Sequence, residues 1–107
     1  MKTLLLLLIA ATCYGMSDQW INGLADSIYK AEGGTHTSHP YGIMVRYKHT
    51  TPRQACINTI KTNLRHWNHI GCFIDYMAPR YCMDGTDNWR HNVSYFMREK
   101  GLTLNPD

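Results

Sequence analysis

The sequence predicts a mainly α domain of about four helices, with a short extended or hairpin segment after the first. Three observations carry that expectation. Apolar residues recur at helical spacing in four separate stretches. Start or stop signals flank those stretches. The one run rich in Val, Ile and Tyr, residues 41–47, lies between the first two of them.

The chain of 107 residues has room for one small domain. It opens like an export signal. Lys2 gives a short positive start, Leu4 to Ala11 an apolar run, and Thr12, Cys13 and Gly15 the small or neutral residues that follow. That run is far shorter than the roughly 20 residues that span a bilayer. Residues 1–15 are therefore expected to be a signal peptide and residues 16–107 a single domain, exported to a periplasm or secreted. Ala10-Ala11-Thr12-Cys13 faintly resembles a bacterial lipoprotein cleavage box, and lipidation of Cys13 is the alternative route. Membrane attachment is expected only in that case.

The first helix spans about 20–32, with Ser17 or Asp18 as its cap. Ile21, Leu24, Ala25 and Ile28 form its apolar face. Gly33 and Gly34 stop it. A polar loop leads to residues 41–47. Thr51-Pro52-Arg53-Gln54 then starts the second helix: Thr51 caps, Pro52 takes the first helical position and Gln54 completes a capping box. Cys56, Ile60, Leu64 and Trp67 make its stripe, to about His66. The third helix holds Cys72, Phe73, Tyr76 and Met77, and Pro79 ends or kinks it. Asp87 or Asn88 caps the last helix, where Trp89, Val93, Phe96 and Met97 share a face. Gly101 ends it, with Arg98 and Lys100 well placed in the final turn.

Glu32 stands out chemically. At about 100° per residue it points the same way as Ile21, Ala25 and Ile28, toward the core. Burial and the negative end of the helix dipole both disfavour its charge. A carboxyl so badly placed for stability is a candidate for function, the plain alternative being a side chain rotated to solvent at the helix end.

Other constellations are weaker. His36 and His39, and likewise His66 and His69, are three apart, but no third ligand stands at a defined distance, so solvated surface histidines and no metal are expected. If Cys13 leaves with the signal, Cys56, Cys72 and Cys82 remain, an odd number for an oxidising compartment. Cys56 and Cys82 would meet if helices two and three pack antiparallel, giving a Cys56–Cys82 disulfide and a reduced Cys72. Cys72 as a nucleophile is the rival to Cys72 as a packed small hydrophobe. Asn92-Val93-Ser94 matches a glycosylation sequon but falls on a helix. Tyr41 and Tyr81 lie at segment ends, where a ring can line a sugar cleft. The net charge of +3 is modest and there is no run of Lys and Arg, which argues against a nucleic-acid partner.

Glu32 at a helix end, followed by Tyr41-Gly42-Ile43-Met44, resembles the lysozyme-like superfamily. It is most similar to lytic transglycosylases and phage or bacterial muramidase-type domains, where the catalytic glutamate ends a helix and a Gly-Leu-Met-Gln-like strand follows. Val45 stands where that strand has glutamine. The segment from Phe73 through Tyr76, Arg80 and Tyr81 to Cys82, with Trp89 beyond, is similar to the family's Phe-x-x-Tyr/Leu-x-x-Arg-Tyr-Ala segment and its following aromatic. The resemblance implies a small lysozyme-like domain that cleaves the β-1,4 link between N-acetylmuramic acid and N-acetylglucosamine. It implies Glu32 as general acid and Tyr41, Gly42, Ile43 and Tyr81 as substrate contacts. The implied partner is the peptidoglycan glycan strand, met by a monomer with no cofactor. Asp75, Asp84 and Asp87 are available as a second carboxylate, but none is singled out, which suits the single-glutamate mechanism of transglycosylases. The alternatives are a non-catalytic secreted binding or interaction module and a small effector using Cys72.

Overall fold

The computed structural model describes residues 18–82 and 84–106. The expected signal peptide, Cys13 and the Ser17 cap lie outside the described residues. Four helices make up the fold: α1 over residues 18–31, α2 Pro52–His66, α3 Phe73–Tyr81 and α4 Thr86–Glu99. Two 3-10 turns, Gly34–His36 and Pro40–Gly42, lie between α1 and α2.

The four apolar stripes meet in one core. Leu24 and Ile28 of α1, Cys56 and Ile60 of α2, Phe73, Ile74 and Met77 of α3, and Val93 and Met97 of α4 are all fully buried. Each such large apolar side chain stabilises the fold by about 1.5–3 kcal/mol. Phe73 is the aromatic hub, with the rings of Trp20 and Trp67 edge-on to it at 5.7 and 5.4 Å. α3 packs on α4 and on α2, and α2 carries the Pro40–Gly42 turn on its flank.

Local signals set the helix limits. Thr51 Oγ1 accepts the backbone N–H of Gln54 at 3.1 Å, as an N-cap should. Gln54 instead bonds Asn58 at 2.9 Å. The cap position of α4 is Gly85 (φ 67°), two residues before the expected Asp87 and three before Asn88, and Asp87 sits in the first turn, where a negative charge suits the dipole. It ends as expected: Gly101 is left-handed at φ 73°, its N–H reaches the Arg98 carbonyl, and the Leu102 N–H reaches that of Met97. Pro79 does not end α3 on the spot. It removes one rung, and the helix runs only to Tyr81.

Residues beyond α4 fold back over the bundle. Trp20 Nε1 donates to the Thr103 carbonyl at 2.8 Å, and Asn105 Oδ1 accepts the N–H of Phe73 at 2.6 Å. That amide supplies the side-chain cap that Cys72, at the start of α3, does not. Gly23 lies under Leu102: a β-carbon there would stand 2.2 Å from Leu102 Cδ1.

Of the two forms expected after the first helix, the hairpin arm is not formed, while Ile43 takes extended backbone beyond the turn. None of the described residues belongs to a strand. Pro40 opens a turn, Tyr41 and Gly42 take positive φ (61° and 69°), and the chain from Ile43 to Thr51 is irregular. Two successive left-handed residues reverse the chain and cannot continue a strand.

Candidate active site around Glu32

Glu32 follows directly on α1, its N–H still bonded to the Ile28 carbonyl at 2.9 Å. Gly33 turns the chain away at φ 106°. The carboxyl is half-buried and leans on Gly42, where an added β-carbon would lie 2.9 Å from Oε2 and 3.0 Å from Cδ. A glycine is thus required twice at position 42, for its left-handed φ and for the room it leaves Glu32. Burial raises the pKa of Glu32 above its ordinary 4.5. The Trp89 indole pulls the other way. Its Nε1–H is buried and makes no hydrogen bond of good geometry, so it acts on Glu32 as a nearby dipole and keeps its donor free. Among the described residues no Lys or Arg pairs with Glu32.

A second set of contacts fixes Gly42. Tyr41 is buried, its ring tilted against Tyr29 at 5.1 Å. Its hydroxyl accepts from Arg53 Nη1 at 3.1 Å, and the same guanidinium holds Asp26 at 2.7 Å and Asn22 at 3.1 Å. The Tyr41 carbonyl accepts the hydroxyl of Tyr81. Tyr81 in turn stacks on Trp89 at 5.3 Å. A non-glycine residue held at φ 61° costs about 1–3 kcal/mol, and here an arginine and a tyrosine hold it.

The thiols complete the floor. Cys56 lies beside the Tyr81 hydroxyl, and burial pushes it up to about 11. It is a neutral thiol at ordinary pH. Burial also pushes the Tyr81 hydroxyl well above the usual phenol range, with Cys56 and Glu32 adding to the shift. Cys82 is half-buried, and its Sγ donates to the Asp84 carbonyl. The structure does not pair Cys56 with Cys82: Cys56, Cys72 and Cys82 are free thiols in it. Cys56 is engaged with Tyr81, and Cys82 is turned outward to the loop ahead of α4.

Glu32, Tyr41, Gly42 and Tyr81 thus come together, with Cys56 and Cys82 at the same place. Tyr41 and Tyr81 turn inward, and both hydroxyls are engaged within the protein. Ile43 is half-buried and faces a different space, a hollow of about 370 Å³ lined also by His39, Pro40, Met44, Arg46 and Tyr47. A hollow of about 280 Å³ follows along α2 from Ala55 to Asn63. Neither is lined by Glu32. Asp75 and Asp87 are bound to Arg90, at 3.6 and 2.8 Å. Asp84 is exposed, and its carbonyl accepts from the Cys82 thiol. His36, His39, His66 and His69 are exposed, and among the described residues no group of three His, Cys, Asp or Glu is placed to hold a metal ion.

Two participants were missed from sequence. Trp89 reads as core by its spacing, and nothing local shows that its N–H lacks a partner. Arg53 sits inside a helix-start signal, which masks its reach back to Tyr41 and Asp26. Comparison of the chain with protein-family models, with curated proteins and with solved structures finds no match.

Proposed function

We propose that the chain is a peptidoglycan-cleaving glycosidase, a lytic transglycosylase or lysozyme, in which Glu32 is the general acid. One observation carries the reading: a half-buried carboxyl, paired with no cation among the described residues, whose pKa burial raises. A general acid must keep its proton near the working pH and still reach the leaving oxygen. Burial shifts Glu32 in the direction of the first need, and its partial exposure serves the second. The buried Trp89 N–H beside it favours the carboxylate formed after proton transfer. Tyr41, Arg53 and Tyr81 are positioning residues, because they hold Gly42 under the carboxyl. The choice of substrate rests on the resemblance of residues 41–44 and 73–82 to muramidase-type domains.

A specific observation favours the second reading, a non-catalytic secreted binding module: both hollows are lined by the 38–52 loop and α2, away from Glu32. Zymography on peptidoglycan separates the two. The protein is expected to clear the gel, and Glu32→Gln to lower cleavage by at least about 100-fold with the fold unchanged. Tyr41→Phe and Tyr81→Phe are expected to lose less. Full cleavage by a folded Glu32→Gln protein ends the acid assignment. No cleavage by the parent, with retention on insoluble peptidoglycan, moves the assignment to the binding module.

A further inference from the structure

The charge of this chain is unevenly spread. Residues 33–74 contain no Asp or Glu, yet hold Arg46, Lys48, Arg53, Lys61 and Arg65 and every histidine but His91. At the tip of that acid-free region lies Met44-Val45-Arg46-Tyr47-Lys48-His49, all exposed. Met44, Val45 and Tyr47 are among the most exposed large apolar residues, at 71, 61 and 50%. Arg46 and Lys48 pair with no carboxylate among the described residues.

We propose that this loop docks the protein on an anionic lipid bilayer. Two features must be matched together. Arg46 and Lys48, without carboxylate partners among the described residues, want phosphate-bearing headgroups, each near the surface contributing to attachment. Exposed Met and Val beside them want an apolar phase, which a soluble polyanion does not offer. Tyr47 between Arg46 and Lys48 suits the headgroup boundary, where an amphipathic ring has both media in reach. Arg46 and Lys48 can bury their stems while their charges stay at the phosphate level. The contact proposed is peripheral and needs no lipid on Cys13; among the described residues no helix is long and apolar enough to cross a membrane.

Flotation with vesicles tests this, using protein whose mass shows no lipid. Vesicles of equal parts phosphatidylglycerol and phosphatidylcholine are compared with phosphatidylcholine alone, and inorganic polyphosphate serves as the soluble polyanion. The protein is expected to float with the anionic vesicles only, and less as salt rises. Met44→Ser with Val45→Ser is expected to weaken vesicle binding by at least about tenfold and to leave polyphosphate binding unchanged. Arg46→Gln and Lys48→Gln are each expected to weaken it by about fivefold. Glu32→Gln should float as the parent does, which keeps this result separate from the fate of the acid assignment. No flotation with anionic vesicles at low salt overturns the proposal. Equal flotation with neutral vesicles overturns it too. Unchanged flotation of the Met44/Val45 variant assigns the surface to polyanions instead.

Discussion

In α3 the residues Phe73, Ile74, Met77 and Ala78 are fully buried, whereas across residues 33–51 Tyr41 alone is buried. The helices are held by area removed from water, a force with no direction that tolerates local error. The 33–51 segment is held by a few directional bonds, through Arg53 to Tyr41 and through Tyr81 to the Tyr41 carbonyl. Glu32 sits where the two regimes meet. One side of it is the packed end of α1, and the other is a glycine kept in place by those bonds. The bundle therefore sets whether the chain folds, and the segment sets whether Glu32 is half-buried.

The contrast can be broken at its strong end first. Phe73→Ala, at the hub of the core, is expected to cost about 3–5 kcal/mol in denaturant unfolding, a large part of the stability of a small domain. Gly42→Ala acts at the junction. It asks a β-carbon to take φ 69°, at a cost of about 1–2 kcal/mol, and to stand 2.9 Å from the Glu32 carboxyl. A stability loss of that order together with lost cleavage supports the junction. An unchanged protein would place Gly42 elsewhere in importance.

Glu32→Gln is a smaller effect with a definite sign. The folded pKa is raised, so the native state disfavours the charge, and stability falls as pH rises from the ordinary 4.5 through the folded value. The amide carries no charge at any pH. Its thermal midpoint is therefore expected to exceed the parent's at pH 7, and the gain to vanish below the ordinary 4.5, where the parent is neutral in both states. The reverse order would mean that the carboxylate is stabilised. The smallest effect belongs to Met44→Ser with Val45→Ser. These side chains are exposed, so each is expected to change unfolding free energy by no more than about 0.5 kcal/mol. A larger loss would show that the tip of the loop is packed.

Helical elements were legible in the sequence because their signals are local. Thr51-Pro52 and Gly101 mark their ends by chemistry within a few residues, and the structure follows both. Glu32 was legible because a carboxyl on an apolar face contradicts its surroundings. Of the two alternatives for the 41–47 run, the hairpin arm does not form, because Val, Ile and Tyr favour strands only when a partner strand is present, and here two left-handed residues turn the chain instead. The Cys56–Cys82 pairing was not legible with the same security, because proximity of helix ends does not say which way a thiol turns. The bonds from Arg53 to Tyr41 and from Asn105 to Phe73 join distant stretches, and no local pattern announces them.

The most direct test follows the Glu32 carboxyl carbon by NMR through a pH titration of the folded protein. A midpoint above the ordinary 4.5 is expected, falling back toward that value when Gly42→Ala displaces the side chain. A midpoint at or below 4.5 in the parent would mean a solvated or stabilised carboxylate, and Glu32 would have no proton to give at neutral pH.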